Sequence, residues 1–192
     1  KYLKNKLSSL QSSNKFHCLQ ETENIFNDNF KCSIYSFFSY FQKESVYSGT
    51  ISQTYIVKFL NDKTKYLMKI KHPNIKNEIN DNIREFKILF FILKNNFYHC
   101  LNSIDIIDFL IQLKKQTDFL NEVTYNNHIY QISKLNNYQN NTLKVPFIKA
   151  CSQDIIIQEL CSGYHYQEFI EKYPYLKIRS KITAAKSFFE LL

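Results

Sequence analysis

The sequence predicts an α+β fold in which an antiparallel sheet packs with helices and follows an N-terminal helical extension. Two segments, residues 45–70 and 145–160, contain alternating apolar runs rich in aromatic and β-branched residues and interrupted by short turns. Between them, residues 76–95 repeat apolar side chains at intervals of three and four, which is typical of an amphipathic helix. We therefore expect both strand regions to join in one sheet.

Helical spacing predicts further helices on both sides of the strands. The segments that show it are residues 2–11, 21–30, 104 to about 132, 166–174 and 181–192. The most apolar runs, residues 87–94 and 104–113, are far shorter than the ~20 residues that span a bilayer, so we interpret both as buried helices. The chain then divides into a helical extension, a strand-rich unit and a helical unit, at residues 1–44, 45–163 and 164–192.

The formal charge of +8 raises the question of nucleic-acid binding, because clustered basic side chains bind phosphate backbones. Only two of the 25 basic residues are arginines, however, and no dense basic run occurs. Arginine is the preferred ligand of phosphates and guanine edges. The abundance of Lys, Asn, Ile, Phe and Tyr is what an A+T-rich genome produces. We therefore expect no nucleic-acid partner.

The cysteines favour neither a disulfide framework nor a zinc site. Their number is odd and they contain no C-x-x-C pair: Cys18, Cys32, Cys100, Cys151 and Cys161. Reduced thiols in an intracellular compartment are the simpler interpretation. Two of the cysteines follow a histidine directly, but adjacent side chains point in different directions along a helix or strand. We expect no metal ligands among them.

The order of the predicted strands and helices indicates one lysine as a candidate functional residue. Lys69 lies on a predicted third strand, Tyr66–Ile70. In nucleotide-binding lobes of the protein-kinase type, a lysine on the third strand reaches the ATP phosphates and is held by a glutamate on the next helix. Asp118 and Glu122 are four residues apart, which places both on one face of a helix. A solvated lysine and ordinary surface carboxylates would give the same pattern.

Five blocks strengthen the nucleotide-binding interpretation: YSGTISQT at 47–54, YLMKIKHPNI at 66–75, QTDFLNE at 116–122, KVPFIKA at 144–150 and IIIQELCSG at 155–163. They resemble, in order and spacing, the UbiB family of atypical protein-kinase-like proteins. That family has A-A-A-S-I-G-Q-V, V-A-V-K-V-Q-H-P-G-I, E-x-D-F-x-x-E, and a hinge preceded by V-P and ending in E-x-x-x-G. LSSLQ at 7–11 also resembles its L-x-x-L-Q. The resemblance implies a protein-kinase-like N-lobe.

The resemblance also implies which residues bind a nucleotide. Lys69 would contact the phosphates and pair with Glu122, and Asp118 would be the remaining acid of the E-x-D signature. The loop over the phosphates would comprise Ser48, Gly49, Thr50, Ser52 and Gln53, and the hinge to the adenine would comprise Glu159, Leu160 and Cys161. Small residues let backbone N–H groups approach phosphate oxygens, and Gly49 adds flexibility that alanine lacks. The implied ligands are ATP and Mg²⁺.

Several residues depart from the family pattern. Gln116 replaces the first acidic residue of the E-x-D signature, and an amide cannot bring negative charge to a metal. Tyr47 replaces a small residue and would crowd the nucleotide. We expect the family's K-x-G-Q signature before Lys1, and its H-x-D-x-x-x-x-N and D-F-G segments after Leu192. We therefore assign no catalytic or metal-binding residue and expect no measurable kinase or ATPase turnover from these 192 residues alone.

Two classes of function follow. The first is the nucleotide-binding lobe of a UbiB-like atypical kinase or ATPase, catalytically incomplete as given. The resemblance links it to ubiquinone synthesis and lipid homeostasis at mitochondrial, plastid or bacterial membranes, with a lipid or a membrane-associated protein complex as a further partner. The second class is a non-catalytic, pseudokinase-like binding or scaffold module. Sequence beyond Leu192 would discriminate between them, because an intact catalytic loop there would favour the enzyme.

Overall fold

A six-stranded antiparallel sheet lies at the centre of the part of the chain that the structure describes. The structure, a computed structural model, describes residues 16–96, 108, 111–112, 114–135, 144–164 and 166–189. The strands are β1 (Phe38–Phe41), β2 (Tyr47–Ser48), β3 (Ser52–Phe59), β4 (Tyr66–Lys71), β5 (Ile148–Cys151) and β6 (Ile155–Glu159). Their order is β1-β3-β4-β6-β5, and β2 pairs with β3 beside that path. The predicted union of the two strand regions is confirmed by the pairing of β4 with β6.

The helices are α1 (Leu19–Phe30), α2 (Ile34–Phe37), α3 (Ile75–Asn96), α4 (Phe119–Leu135), α5 (Tyr166–Lys172) and α6 (Lys177–Phe189), with a 3-10 turn at Pro174–Leu176. The helices predicted at 21–30 and 76–95 are confirmed within one or two residues. The helix predicted at 2–11 lies outside the described residues. In the helical region predicted from 104 to about 132, a turn at residues 116–118 separates α4 from the described helical residues before it.

The main hydrophobic core lies on one face of the sheet. Successive side chains of a strand point to opposite faces, so Met68 and Ile70 of β4 share a face with Tyr55 and Val57 of β3. Helix α1 covers this face and inserts Phe26, which is fully buried and in contact with the rings of α2 and β1. Residues 16–44, which the sequence assigns to an extension, therefore supply both a strand and part of the core.

Helix α4 covers the opposite face. Its buried residues Phe119 and Val123 pack against Ile156 of β6, with Ile51 and Ile148 at the edge of this smaller cluster. The β4 residue opposite Ile156 in the strand register is Lys69. A charged side chain is thereby placed beside the apolar contact between the sheet and α4.

The turn at the end of β4 directs the chain away from the sheet. Asn74 has a positive φ of 62°, a conformation that asparagine adopts more readily than most other residues. The carbonyl of Asn74 accepts hydrogen bonds from the N–H groups of Asn77 and Glu78, which starts α3. The break that the sequence predicts at His72, Pro73 and Asn74 is confirmed.

Helix α3 is exposed where the sequence predicts burial. Ile75 and Ile79 in its first turns are buried, but Ile88 and Phe91 are 57% and 67% exposed. The interpretation of residues 87–94 as a buried helix is therefore wrong for its described side chains, because the packing that buries the first turns of α3 does not extend along the helix. Ile111, in the second predicted buried run, is also exposed, and most of that run lies outside the described residues. Among the described residues, no helix combines the length and apolar character needed to cross a bilayer.

The packing of α1 predicts a large effect of removing the Phe26 ring. Phe26→Ala leaves a cavity among aromatic side chains and should lower the free energy of unfolding by about 3–5 kcal/mol. Urea denaturation followed by circular dichroism measures the change. Phe91→Ala, in which an exposed ring is removed, is the matched control and should change stability by no more than about 0.5 kcal/mol. Equal effects of the two substitutions would contradict the placement of α1 in the core.

Candidate functional site

Lys69 and Glu122 form an ion pair between the sheet and α4. The Lys69 Nζ donates a hydrogen bond to Glu122 Oε1, and the Lys69 and Glu122 side chains are 25% and 44% exposed. The pairing predicted from the sequence is confirmed. Because both groups are partly hydrated, the pair contributes only about 0–1 kcal/mol to stability. Its main consequence is to fix the direction of the ammonium group.

A cavity of about 610 Å³ opens beside this ion pair. Its volume is in the range of small-molecule binding sites. Loop, sheet and helix residues line it: Ile51, Ser52, Lys69, Gln112, Lys115, Gln116, Phe119, Asn121, Glu122 and Tyr125. A larger cavity of about 710 Å³ lies along the exposed part of α3 and shares none of these residues. Of the site residues predicted from the sequence, Ser52, Lys69 and Glu122 line the smaller cavity.

The sequence predicts that Asp118 and Glu122 share one face of a helix, but only Glu122 lies within α4. Asp118 precedes α4, and its Oδ1 accepts a hydrogen bond from the Asn121 N–H at 3.1 Å. A carboxylate in this position satisfies an unpaired amide and interacts favourably with the positive end of the helix dipole. Asp118 therefore fixes the start of α4, and with it the position of Glu122 one turn later.

The loop over the cavity is a tight turn between β2 and β3. The Gly49 N–H donates to the Ser52 carbonyl at 2.9 Å, and Ser48 is almost completely buried. Gly49 does not have a positive φ. A Cβ atom there would meet Tyr47 at 3.4 Å and the Ser52 carbonyl oxygen at 3.5 Å, which are ordinary contacts. The backbone conformation therefore does not require glycine. Thr50 lines a neighbouring cavity of about 380 Å³ with His17 and His72.

Gln53 lies on the opposite face of the sheet from Ser52, its neighbour in this loop. Because β3 begins at Ser52, alternation directs Ser52 to the cavity and Gln53 to the core. The Gln53 side chain is fully buried, where it accepts from the His17 N–H at 3.1 Å and donates to the His17 carbonyl at 3.2 Å. Its amide group also donates to the Tyr55 hydroxyl. The Gln53 side chain therefore does not lie in the loop over the phosphates, as the resemblance implies it would.

Two histidines that the sequence analysis did not select connect the N-terminal segment to this loop. His72 Nε2 donates to the Gly49 carbonyl at 2.9 Å. The His17 Nδ1 lies 2.8 Å from His72 Nδ1, so one of these two nitrogens donates to the other. The Thr22 hydroxyl lies 2.9 Å from His17 Nε2, within hydrogen-bonding distance. We call the pair of rings the His17–His72 contact. The His-Pro dipeptide was visible in the sequence, but its partner fifty-five residues away was not.

Burial and the nearby His72 ring lower the pKa of His17 to about 4, although Glu21 opposes this shift. A charged imidazolium is poorly solvated in this position. The lowered pKa therefore keeps the His17 ring neutral near neutral pH.

A second lysine lies on the same face of β4. Lys71 is almost completely buried, and its Nζ forms an ion pair with Asp154 Oδ1 at 3.1 Å and donates to the Gln153 carbonyl. Lys71 occupies the position at which the family motif V-A-V-K-V-Q-H-P-G-I has glutamine. The ammonium groups of Lys69 and Lys71 lie 5.7 and 4.8 Å from the centroid of the Phe119 ring. Lys71 is thus bound to the turn between β5 and β6, whereas Lys69 lines the cavity.

The predicted hinge lies at the end of β6. Glu159 closes this strand and pairs with Lys144 at 2.7 Å, while Leu160 and Cys161 follow without regular structure. Partial burial raises the pKa of the Cys161 thiol, which keeps it protonated near neutral pH.

The cavity thus brings together three of the predicted site residues, Lys69, Glu122 and the loop residue Ser52, whereas the residues of the hinge lie outside its lining. The described residues contain no cluster of three His, Cys, Asp or Glu side chains that could hold a metal ion.

Comparison with known proteins gives a family and a fold. The model of the ABC1 atypical kinase-like domain matches residues 9–188. A Clostridium pasteurianum protein, described as an uncharacterized protein in the hydrogenase 1 5' region, is 30% identical over 168 residues. The match covers 84% of this chain and 30% of that protein.

Among solved structures, a Mycobacterium tuberculosis protein, Rv3197, determined in complex with erythromycin, matches with a TM-score of 0.66 and 17% identity. The match covers 81% of this chain and 38% of that one, and at this identity it shows the fold alone. The chain thus spans roughly a third of the length of the proteins it matches.

The His17–His72 contact predicts acid sensitivity. The pKa of His17 is about 4 in the folded chain and near 6.5 when unfolded. The unfolded state therefore binds more protons between these values, and stability should fall as the pH drops from about 6.5 to 4. We expect a loss on the order of 1–2 kcal/mol, reduced from the full shift because His17 is only partly buried.

Urea denaturation at a series of pH values measures this dependence. His17→Gln should flatten the stability profile between pH 6.5 and 4. His128→Gln, which removes an exposed histidine of α4, should leave the slope unchanged. Constant wild-type stability over this range would contradict the lowered pKa of His17.

Proposed function

The chain belongs to the ABC1 atypical kinase-like domain family, known also as UbiB, and from this membership we propose that it binds a nucleotide through its phosphates at Lys69. The observation that carries the proposal is the ion pair of Lys69 with Glu122 at the edge of an open cavity. In kinase-type sites, a lysine held by a helix glutamate stabilises the charge of the phosphates. Both members of that pair occur here in the corresponding elements, a central strand and the helix packed on it.

The residues around Lys69 suit a phosphate group. Glu122 accepts from the ammonium group, which leaves the remaining N–H bonds of Lys69 for an anion. Ser52 supplies a hydroxyl group and the β2–β3 turn supplies small residues that let the backbone approach. The phosphates would lie between this turn and the start of α4, and the adenine would extend toward the backbone of Leu160 and Cys161.

The donor set fits the nucleotide better than it fits Mg²⁺. Oxygen ligands with negative charge are the usual protein ligands of magnesium. Glu122 is held by Lys69, Asp118 caps α4, and Gln116 offers only a neutral amide. These described residues therefore do not form a magnesium site.

A second candidate function, a non-catalytic binding or scaffold module, is favoured by the exposed apolar side chains of α3. Ile88, Leu89 and Phe91 are at least half exposed. Contiguous apolar surface of this kind is commonly covered by another protein surface. Nucleotide binding is compatible with this role, and binding without turnover would be its expected behaviour.

The proposal predicts that ATP binding depends on Lys69. Calorimetric titration of the 192-residue chain with ATP should give binding that Lys69→Ala weakens by about tenfold or more, because one charge-assisted hydrogen bond contributes about 1.5–3 kcal/mol. Lys149→Ala, which removes an exposed lysine of β5, is the control and should bind as the wild type does. ATP affinity unchanged in Lys69→Ala would remove the basis of the proposal.

A further inference from the structure

The charges that line the Lys69 cavity are unbalanced. Two cationic side chains, Lys69 and Lys115, line it together with one carboxylate, Glu122. That carboxylate is already paired with Lys69. Lys115 is exposed and forms no salt bridge with another described residue. The described lining of the cavity therefore carries an excess of positive charge.

The rest of the polar lining consists of neutral hydrogen-bonding groups. Gln112, Gln116 and Asn121 contribute amides. Each amide NH₂ group has two donors for anionic oxygens. Asp118, the carboxylate closest in sequence, is directed to the Asn121 N–H and does not line the cavity. A phosphate in this cavity would meet two ammonium groups and several N–H donors.

We propose that this cavity binds polyphosphate anions directly, with Lys115 and Gln116 in the place that a metal ion and its acidic ligand would otherwise take. The inference deepens the proposed nucleotide-binding function and rests on it. A divalent cation normally joins phosphate oxygens to protein carboxylates and neutralises both. Here the protein itself provides the positive charge, so that binding does not require magnesium. The ligand class is a nucleoside triphosphate or inorganic tripolyphosphate that is free of metal.

The position of Lys115 provides a matched control. Lys114, its neighbour, is also exposed but lines the separate cavity along α3. Replacing either lysine with alanine removes the same charge from adjacent positions. A general effect of net charge would therefore be equal in the two variants, whereas a specific contact would be lost in only one.

The test is calorimetric titration of the 192-residue chain with inorganic tripolyphosphate and with ATP, in EDTA and in excess Mg²⁺. We expect wild-type binding of both ligands in EDTA. Lys115→Ala should weaken it by about tenfold, as expected for one charge-assisted contact, and Lys114→Ala should change it less than about twofold. Magnesium should leave the affinity unchanged or lower it, because metal and protein compete for the same oxygens.

Gln116→Glu supplies a second, independent readout. A carboxylate in the cavity should weaken binding in EDTA and make it dependent on Mg²⁺, because like charges then require a bridging cation. If wild-type ATP binding requires Mg²⁺, or if Lys115→Ala and Lys114→Ala bind equally, the metal-independent site is wrong while nucleotide binding stands. If ATP and tripolyphosphate bind under neither condition, the proposed function fails together with this inference.

Discussion

The alternation of side chains along β4 is the constraint on which the rest of the structure depends. This strand lies between β3 and β6, so both of its edges are hydrogen-bonded and its register cannot slip without exposing the core. Met68 and Ile70 point to the aromatic core under α1. Lys69 and Lys71 must then point to the face covered by α4. One strand thus holds the fold on one side and presents the candidate site on the other.

The two faces are connected through the β2–β3 turn. On the core side, the N-terminal segment reaches this turn through the His17–His72 contact and through Gln53. On the other side, Ser52 and Lys69 line the cavity that α4 completes. A change in the packing of the N-terminal segment would therefore act directly on the backbone over the cavity. Asp118 has a comparable effect from the α4 side, because it sets where that helix begins.

Local pattern predicted the strands after residue 45 and their hairpin connections, because alternation and turn residues are properties of neighbouring positions. It did not predict β1, and the pairing of Lys69 with Glu122 was implied by the resemblance to a known family. Local pattern also did not predict that Gln53 would be buried, since that depends on β3 beginning at Ser52. The contact of His17 with His72 depends on how a distant segment packs. The exposure of Phe91 has a similar origin, because helical periodicity shows which face is apolar but not what covers it. These are tertiary effects, and sequence spacing does not contain them.

A crystal structure of the 192-residue chain with a non-hydrolysable ATP analogue would test the central claim most directly. The claim is that the register of β4 and the ion pair with Glu122 hold Lys69 at the phosphate position. The account predicts Lys69 Nζ within hydrogen-bonding distance of both the Glu122 carboxylate and a phosphate oxygen, with the phosphates beneath the β2–β3 turn. Phosphates bound elsewhere, with Lys69 directed away from them, would contradict it.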